Sequence, residues 1–107
     1  MTSFDDREKA AEAGFALQGE LEFKAQARRN KLLGLWIAEK SGMSDDEAES
    51  YAKDVIASDF DRPGDEDVFE KVWADVQERK LDLSEHQVRR TMEELLVEAR
   101  KQIMADQ

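Results

Sequence analysis

The sequence predicts an all-α protein, a four-helix bundle preceded by a flexible N-terminal segment that becomes helical on binding. Apolar residues recur at helical spacings of three and four along the chain, and no stretch alternates with period two for long enough to indicate a strand. Capping residues, glycine and proline separate the helical stretches. Composition changes near Gly19, so we expect a mobile segment at residues 1–19 and a bundle domain at residues 20–107.

The first helix of the predicted bundle spans about residues 20–40, and the rest of the bundle is expected to pack around its second half. Residues 32–38 are apolar almost all the way round this helix, and a helix without a polar face is normally enclosed by its neighbours. Gly34 costs roughly 1 kcal/mol of helix propensity relative to alanine. We therefore expect its missing side chain to let a neighbouring helix approach. Gly42 suits the left-handed position just past the helix end.

Three further helices are predicted from their start signals and their apolar stripes. Ser44 with Glu47, and Ser84 with Gln87, have the spacing of capping boxes, while Asp65 is the predicted N-cap of the third helix. The three core-facing stripes are Ala48, Tyr51, Ala52, Val55 and Ile56; Val68, Phe69, Val72, Trp73 and Val76; and Val88, Met92, Leu95, Leu96, Ala99 and Ile103.

The N-terminal segment has a much thinner apolar stripe. Phe4, Ala11 and Phe15 share one face of a helix, but only two of the three side chains are large. Gly14 and Gly19 interrupt the segment. Because a short helix is marginal in water without packing, we predict that the segment is disordered when free and helical when a partner supplies apolar surface. The alternative is an ordinary frayed terminus.

Composition limits the possible functions. The net charge of −10 disfavours a nucleic-acid partner, since phosphate contacts need positive surface. The sequence has no cysteine, which excludes disulfides, thiolate chemistry and cysteine-ligated zinc. No apolar run approaches the roughly 18 residues of a membrane span, and the acidic N-terminus is unlike a signal or transit peptide. We expect a soluble intracellular protein without direct membrane insertion.

Two features of the sequence contain the residue types of metal-binding or catalytic sites. Residues 59–70 place acids and glycine at the ligand spacings of a calcium-binding helix-loop-helix, but Pro63 and Glu66 occupy positions where an oxygen ligand and an apolar residue are usual. Acids near the positive end of the third helix explain this run more simply. His86 is the only histidine, and we interpret it as a surface residue. We therefore expect no enzyme activity, no cofactor and no metal.

Basic residues cluster on the first and fourth predicted helices. Such runs are by default solvated faces. The alternative is a basic patch able to take one anionic group or an acidic partner. Its members would be Arg28, Arg29, Lys31, Arg89 and Arg90.

Four blocks of the sequence carry a family resemblance that covers essentially the whole chain. They are FDDREKA at residues 4–10, FKAQARRNKLLGLWIAEKSG at 23–42, SYAK at 50–53 and HQVRRTMEEL at 86–95. Together they are similar to the zeta-subunit family, the natural inhibitor proteins of the alphaproteobacterial F-type ATP synthase.

The resemblance implies a regulatory inhibitor rather than an enzyme. In the family, the N-terminal segment becomes helical on entering the catalytic interface between the alpha and beta subunits, against the gamma rotor, and blocks rotation in the ATP-hydrolysing direction. The bundle would dock on the outside of the catalytic head, on the cytoplasmic side of the inner-membrane synthase, and the free protein would be a monomer. The implied partner-binding residues are Thr2, Ser3, Phe4, Asp5, Asp6, Arg7, Glu8, Lys9, Ala11, Phe15 and Leu17.

Some positions depart from the family pattern. Ala11 stands where a large aromatic residue is common, Gly14 where a basic residue is common, and residues 17–19 replace a charged stretch. We expect these changes to weaken inhibition without altering the fold. The family is also associated with low-affinity adenine nucleotide binding, so the alternative function is a small bundle that senses a nucleotide or a divalent cation. The residues that could hold a nucleotide are Arg28, Arg29, Arg89 and Arg90.

Overall fold

The computed structural model describes the backbone of residues 3–60 and 65–106, and the side chains of residues 19–59 and 65–106. Within this part of the chain there are four α-helices and no strand, which confirms the predicted all-α fold and four-helix bundle. A single 3-10 turn follows the second helix. The helices are α1 at Ser3–Lys40, α2 at Asp45–Ala57, α3 at Glu66–Glu78 and α4 at Glu85–Ala105.

Helix α1 dominates the shape of the molecule. Its 38 residues span about 57 Å, whereas the 21 residues of α4 span only about 32 Å. The longest dimension of the molecule is accordingly 63 Å, against 24 and 22 Å for the other two.

The start of α1 lies well before the boundary that the sequence predicted. The helix begins at Ser3 instead of near Glu20, and it continues through Gly14 and Gly19. Once the packed part of α1 exists, extending it avoids the cost of a new nucleus, and the residues between 5 and 13 are mostly good helix formers. The division into two domains, and the folding of residues 1–19 on binding, stay predictions.

Two of the predicted helix starts form the expected bonds to different degrees. The Gln87 backbone N–H donates to the Ser84 hydroxyl at 3.1 Å, and the Ser84 N–H donates to the Gln87 side chain at 2.8 Å, so this capping box is confirmed. At α2, the Ser44 hydroxyl accepts from the Glu47 backbone N–H. The Glu47 carboxylate, however, accepts from the Ser44 hydroxyl and not from the Ser44 backbone N–H. Only half of that predicted box forms.

Helices α1 and α2 make a close crossing at Gly34. A Cβ atom at this position would lie 2.7 Å from the Ala52 Cα, which is closer than real Cβ contacts come. The predicted reason for Gly34 is therefore confirmed: the absent side chain allows α2 to approach. The main hydrophobic core surrounds this crossing. Its buried members are Leu33, Ile37, Ala38, Tyr51, Val55, Val68, Phe69, Val72, Val76, Val88 and Met92.

A second, smaller core joins the middle of α1 to the end of α4. Ala25, Ala99 and Ile103 are its buried members, and Leu21 and Leu32 are among the half-buried residues that pack against it. Past the last turn of α4, no residue of that helix remains to cover α1 further toward its N-terminus. Along α1, the two cores extend from Leu21 to Ala38.

Candidate partner-binding site

The predicted partner-binding residues lie in and just before the first part of α1. Thr2 and the side chains of the other predicted residues fall outside the described part of the chain, whereas the backbone from Ser3 onward is helical. Ala11 and Arg29 are 18 residues apart, as are Phe15 and Leu33, and 18 residues make about five turns of an α-helix. Positions 11 and 15 are therefore in helical register with Arg29 and Leu33, which are buried in the bundle.

Arg29 is not part of a surface patch, contrary to the interpretation of the basic run as exposed. Its side chain is only 1% exposed, and its Nη2 donates to Asp65 Oδ1 at 2.8 Å. Its Nε donates to the Asn30 side chain at 2.7 Å, and the Asn30 amide donates in turn to Asp59 at 3.0 Å. Because this network ties α1 to the connection between α2 and α3, Arg29 holds the bundle together rather than facing a ligand.

Arg28 and Arg100 join α1 to α4 nearer the surface. Arg28 donates to the Gln102 side chain at 2.7 Å and lies 3.7 Å from an Asp106 carboxylate oxygen. Arg100 forms two hydrogen bonds with Glu22, at 2.5 and 3.0 Å. The hydrogen bond from Arg100 is the main reason that the pKa of Glu22 lies below its ordinary value. These contacts fix where the end of α4 lies along α1.

The other two predicted nucleotide ligands lie on α4, where Arg89 lines a small cavity together with Arg29. The Arg89 guanidinium donates to both Glu66 carboxylate oxygens, at 3.1 and 3.3 Å, and lies 3.7 Å from the centre of the Phe69 ring. Arg90 pairs with Glu94 at 3.1 Å, one turn along α4. Each of these cations already has an acidic partner that an incoming anion would have to displace. Nucleotide binding by these arginines stays a prediction.

The acidic run at residues 59–70 is likewise engaged in contacts within the bundle. Asp59 accepts from Asn30, and Asp65 accepts from Arg29. Asp65 does occupy the N-cap position of α3, as predicted, but its carboxylate makes no capping bond there because the guanidinium takes it instead. Among the side chains of residues 19–59 and 65–106, no group of three potential metal-ligating residues comes together. His86 is exposed in the first turn of α4, as predicted.

None of the helices in the described ranges combines the length and the apolar character that crossing a bilayer requires.

Comparisons with known proteins agree with this architecture. The sequence model of a family described as ATPase inhibitor subunit zeta matches residues 1–102. A structure solved by solution NMR is 45% identical in sequence and superposes with a TM-score of 0.72, over 81% of this chain and 99% of the other. The comparison with curated proteins finds no match. Since the family model spans nearly the whole chain, including the predicted partner-binding segment, the protein belongs to the ATPase inhibitor subunit zeta family.

Proposed function

We propose that this protein inhibits ATP hydrolysis by the F-type ATP synthase, with residues 1–19 inserted between the alpha and beta subunits and against gamma. The observation that carries the proposal is the family match over residues 1–102, because it includes this segment as well as the bundle. The protein then acts by binding alone and performs no chemistry of its own.

The continuity of α1 supports a helical wedge. A segment that already extends a packed helix loses less conformational entropy on binding than a disordered one. Phe4 and Phe15 are 11 residues apart, about 16 Å along one helical face. Two apolar anchors on one face of a helix are the pattern of helix-in-groove recognition.

The proposed block follows from differential affinity. A catalytic interface that must open and close during each turnover is arrested by a ligand that binds one of its conformations much more tightly than the others. The bundle limits how far the N-terminal helix can enter, since its smaller dimensions of 24 and 22 Å are about twice the width of a single helix. The N-terminal part of α1 therefore enters the interface only to the depth at which the bundle meets the surface of the catalytic head.

Alanine at the two phenylalanines tests this mechanism in the full-length chain. Burying a phenylalanine side chain contributes about 1.5–3 kcal/mol, and each 1.4 kcal/mol is about a tenfold change in affinity. Phe4→Ala and Phe15→Ala should each raise the concentration needed to halve ATP hydrolysis by about tenfold or more. The control is Leu35→Ala, a partly exposed position on the same helix but in the bundle. Unchanged inhibition by the double phenylalanine variant would exclude these anchors.

Ala11 offers the opposite test. If the stripe enters an apolar groove, Ala11→Phe should lower the half-inhibitory concentration, because it restores the large aromatic residue common at this position in the family. The control is Ala74→Phe on α3, an exposed alanine outside the segment. A loss of inhibition with Ala11→Phe would mean that the stripe does not face an apolar surface with room for a ring.

A further inference from the structure

An open groove lies over the outer side of α1, where α2 and α4 both end. Its volume is about 550 Å³. Phe23 and Ala27 of α1 line it, with Ile56 from the last turn of α2 and Ile103 from the last turn of α4 as apolar neighbours. The Phe23 side chain is 68% exposed. A large apolar side chain exposed beside other apolar residues is typical of an interaction surface.

The rim of the groove is basic, although the protein as a whole is strongly acidic. Lys24, Arg28 and Lys31 line it, and Asp106 is the one acidic residue among the described residues of the lining. Asp106 lies beside Arg28, at 3.7 Å, which leaves the two lysines as the excess charge. On a chain of net charge −10, this rim selects for a partner that is acidic where it touches the groove.

We propose that this groove is a second contact with the inhibited ATPase and receives an acidic amphipathic helix from the surface of its catalytic head. The inference rests on the proposed function and adds to it which face of the bundle docks. Phe23 follows Leu17 by six residues, about 9 Å along α1. With the N-terminal segment inserted, the groove therefore lies at the mouth of the same interface, so that the two contacts are continuous.

The shape of the groove favours a helix as the occupant. From Leu21 to Lys31 it follows α1 for about 15 Å, nearly three helical turns. The described residues form no strand, so they offer no sheet edge that an extended peptide could join. A helix with apolar residues three or four apart meets the apolar lining, and carboxylates beside that stripe meet the lysines.

The test compares two double variants of the full-length protein. The groove variant is Phe23→Gln with Lys31→Glu. The control is Val97→Gln with Lys101→Glu on α4, which also exchanges one exposed apolar residue and one exposed lysine and makes the same change in net charge. Binding of the fluorescently labelled protein to the isolated catalytic head is measured together with inhibition of ATP hydrolysis.

The groove variant should bind about tenfold more weakly than the wild type and dissociate faster, whereas the control should stay within about twofold. The contribution of Lys31→Glu should shrink at high salt, since exposed charges are screened. Equal binding by the groove variant and the control would overturn the groove and leave the inhibitory function standing. Binding without inhibition, weakened only by the groove variant, would support the groove and refute the proposed function. No binding by the wild type would overturn both.

A photo-crosslinker identifies the occupant. With p-benzoylphenylalanine in place of Phe23, we expect a crosslink to a subunit of the catalytic head, and with the same residue in place of Val97 we expect none. Crosslinks from position 23 only to the protein's own N-terminal segment, or only to a second copy of the chain, would overturn the proposed partner. The N-terminal segment is the competing occupant to exclude, because residues 1–19 carry four acidic residues against two basic ones and two phenylalanines.

Discussion

The two halves of α1 form one continuous helix but owe their helicity to different causes. In the C-terminal half, Ala25, Arg29, Leu33 and Ile37 are at most 1% exposed, because α2 and α4 cover that face. The N-terminal half continues the same face with a stripe in which only two side chains are large. Packing therefore stabilises the second half, and the first half has the local helix propensity to extend from it.

This difference separates the residues that maintain the fold from those that we propose act on a partner. A substitution in the packed half should lower stability, and inhibition should fall only as a consequence. A substitution in the first half should alter inhibition while the bundle stays folded. The following predictions test that separation, from the largest expected effect to the smallest.

The largest loss of stability should come from Arg29→Ala. The Asp65 carboxylate that is left behind is half-exposed, so the lost ion pair itself contributes little. The larger cost comes from emptying the space of a fully buried side chain and removing a hydrogen-bond donor from Asn30, and truncating large buried side chains costs about 2–5 kcal/mol in comparable cases. Urea unfolding followed by circular dichroism measures the free energy of unfolding. The control is Arg28→Ala, the adjacent and more exposed arginine, for which we expect a loss below about 1 kcal/mol. Equal losses for the two variants would contradict the assignment of Arg29 to the core.

Alanine at two glycines of α1 should change stability in opposite directions. Gly34→Ala adds a Cβ against the Ala52 Cα at 2.7 Å, and overpacking of this kind costs about 1–3 kcal/mol. Because the clashing atom belongs to the backbone and cannot rotate away, this cost should exceed the gain of about 1 kcal/mol in helix propensity. Gly19→Ala meets nothing within 4 Å, so the propensity gain should appear as added stability. The free energies of unfolding of both variants, from urea titrations, provide the check. Stabilisation by Gly34→Ala would mean that α2 can move away from α1 without loss.

The smallest effect should be a pH dependence at the junction of the two halves. The hydrogen bond from Arg100 lowers the pKa of Glu22 in the folded protein. A lowered pKa stabilises the fold above the ordinary glutamate value of about 4.3, and this contribution is lost as the pH falls through the folded value. Glu22→Gln should therefore be slightly less stable than the wild type near pH 7, and the difference should disappear once the pH has fallen below the lowered pKa of Glu22. A difference that grows toward low pH would contradict this ion pair. The stability difference should be small because the Glu22–Arg100 pair lies at the surface, where solvent screens it.

Sequence reasoning predicted the helices and most of the core because their signals are local. Helical periodicity identified the stripes of α2, α3 and α4, and the capping spacing at Ser84 and Gln87 marked the start of α4. The close crossing at Gly34 could be predicted because glycine lowers the stability of a helix, and a glycine within an apolar helix usually marks the close approach of a second helix. The start of α1 was placed too late, since two glycines were weighed more heavily than propagation from a packed helix.

The arrangement of the charged residues was harder to predict. Arg29 was taken for a surface residue because arginine is mostly exposed, but its place four residues from both Ala25 and Leu33 puts it on the buried face. The sequence therefore indicated that Arg29 is buried. It did not indicate that Asp65 is the partner of Arg29, because this contact depends on how the α2–α3 connection folds back over α1. The groove around Phe23 was missed for the same reason, since it exists only where three helices from distant parts of the chain meet.

The most direct test of the account is ATP hydrolysis by the cognate catalytic head, titrated with the full-length protein and with a shortened protein that begins at Glu20. Circular dichroism should first establish that the shortened protein retains a cooperative helical fold, as expected if the cores at residues 21–106 are sufficient. The account predicts that the full-length protein inhibits hydrolysis and that the folded shortened protein does not. Full inhibition by the shortened protein would contradict the N-terminal wedge and assign inhibition to the bundle.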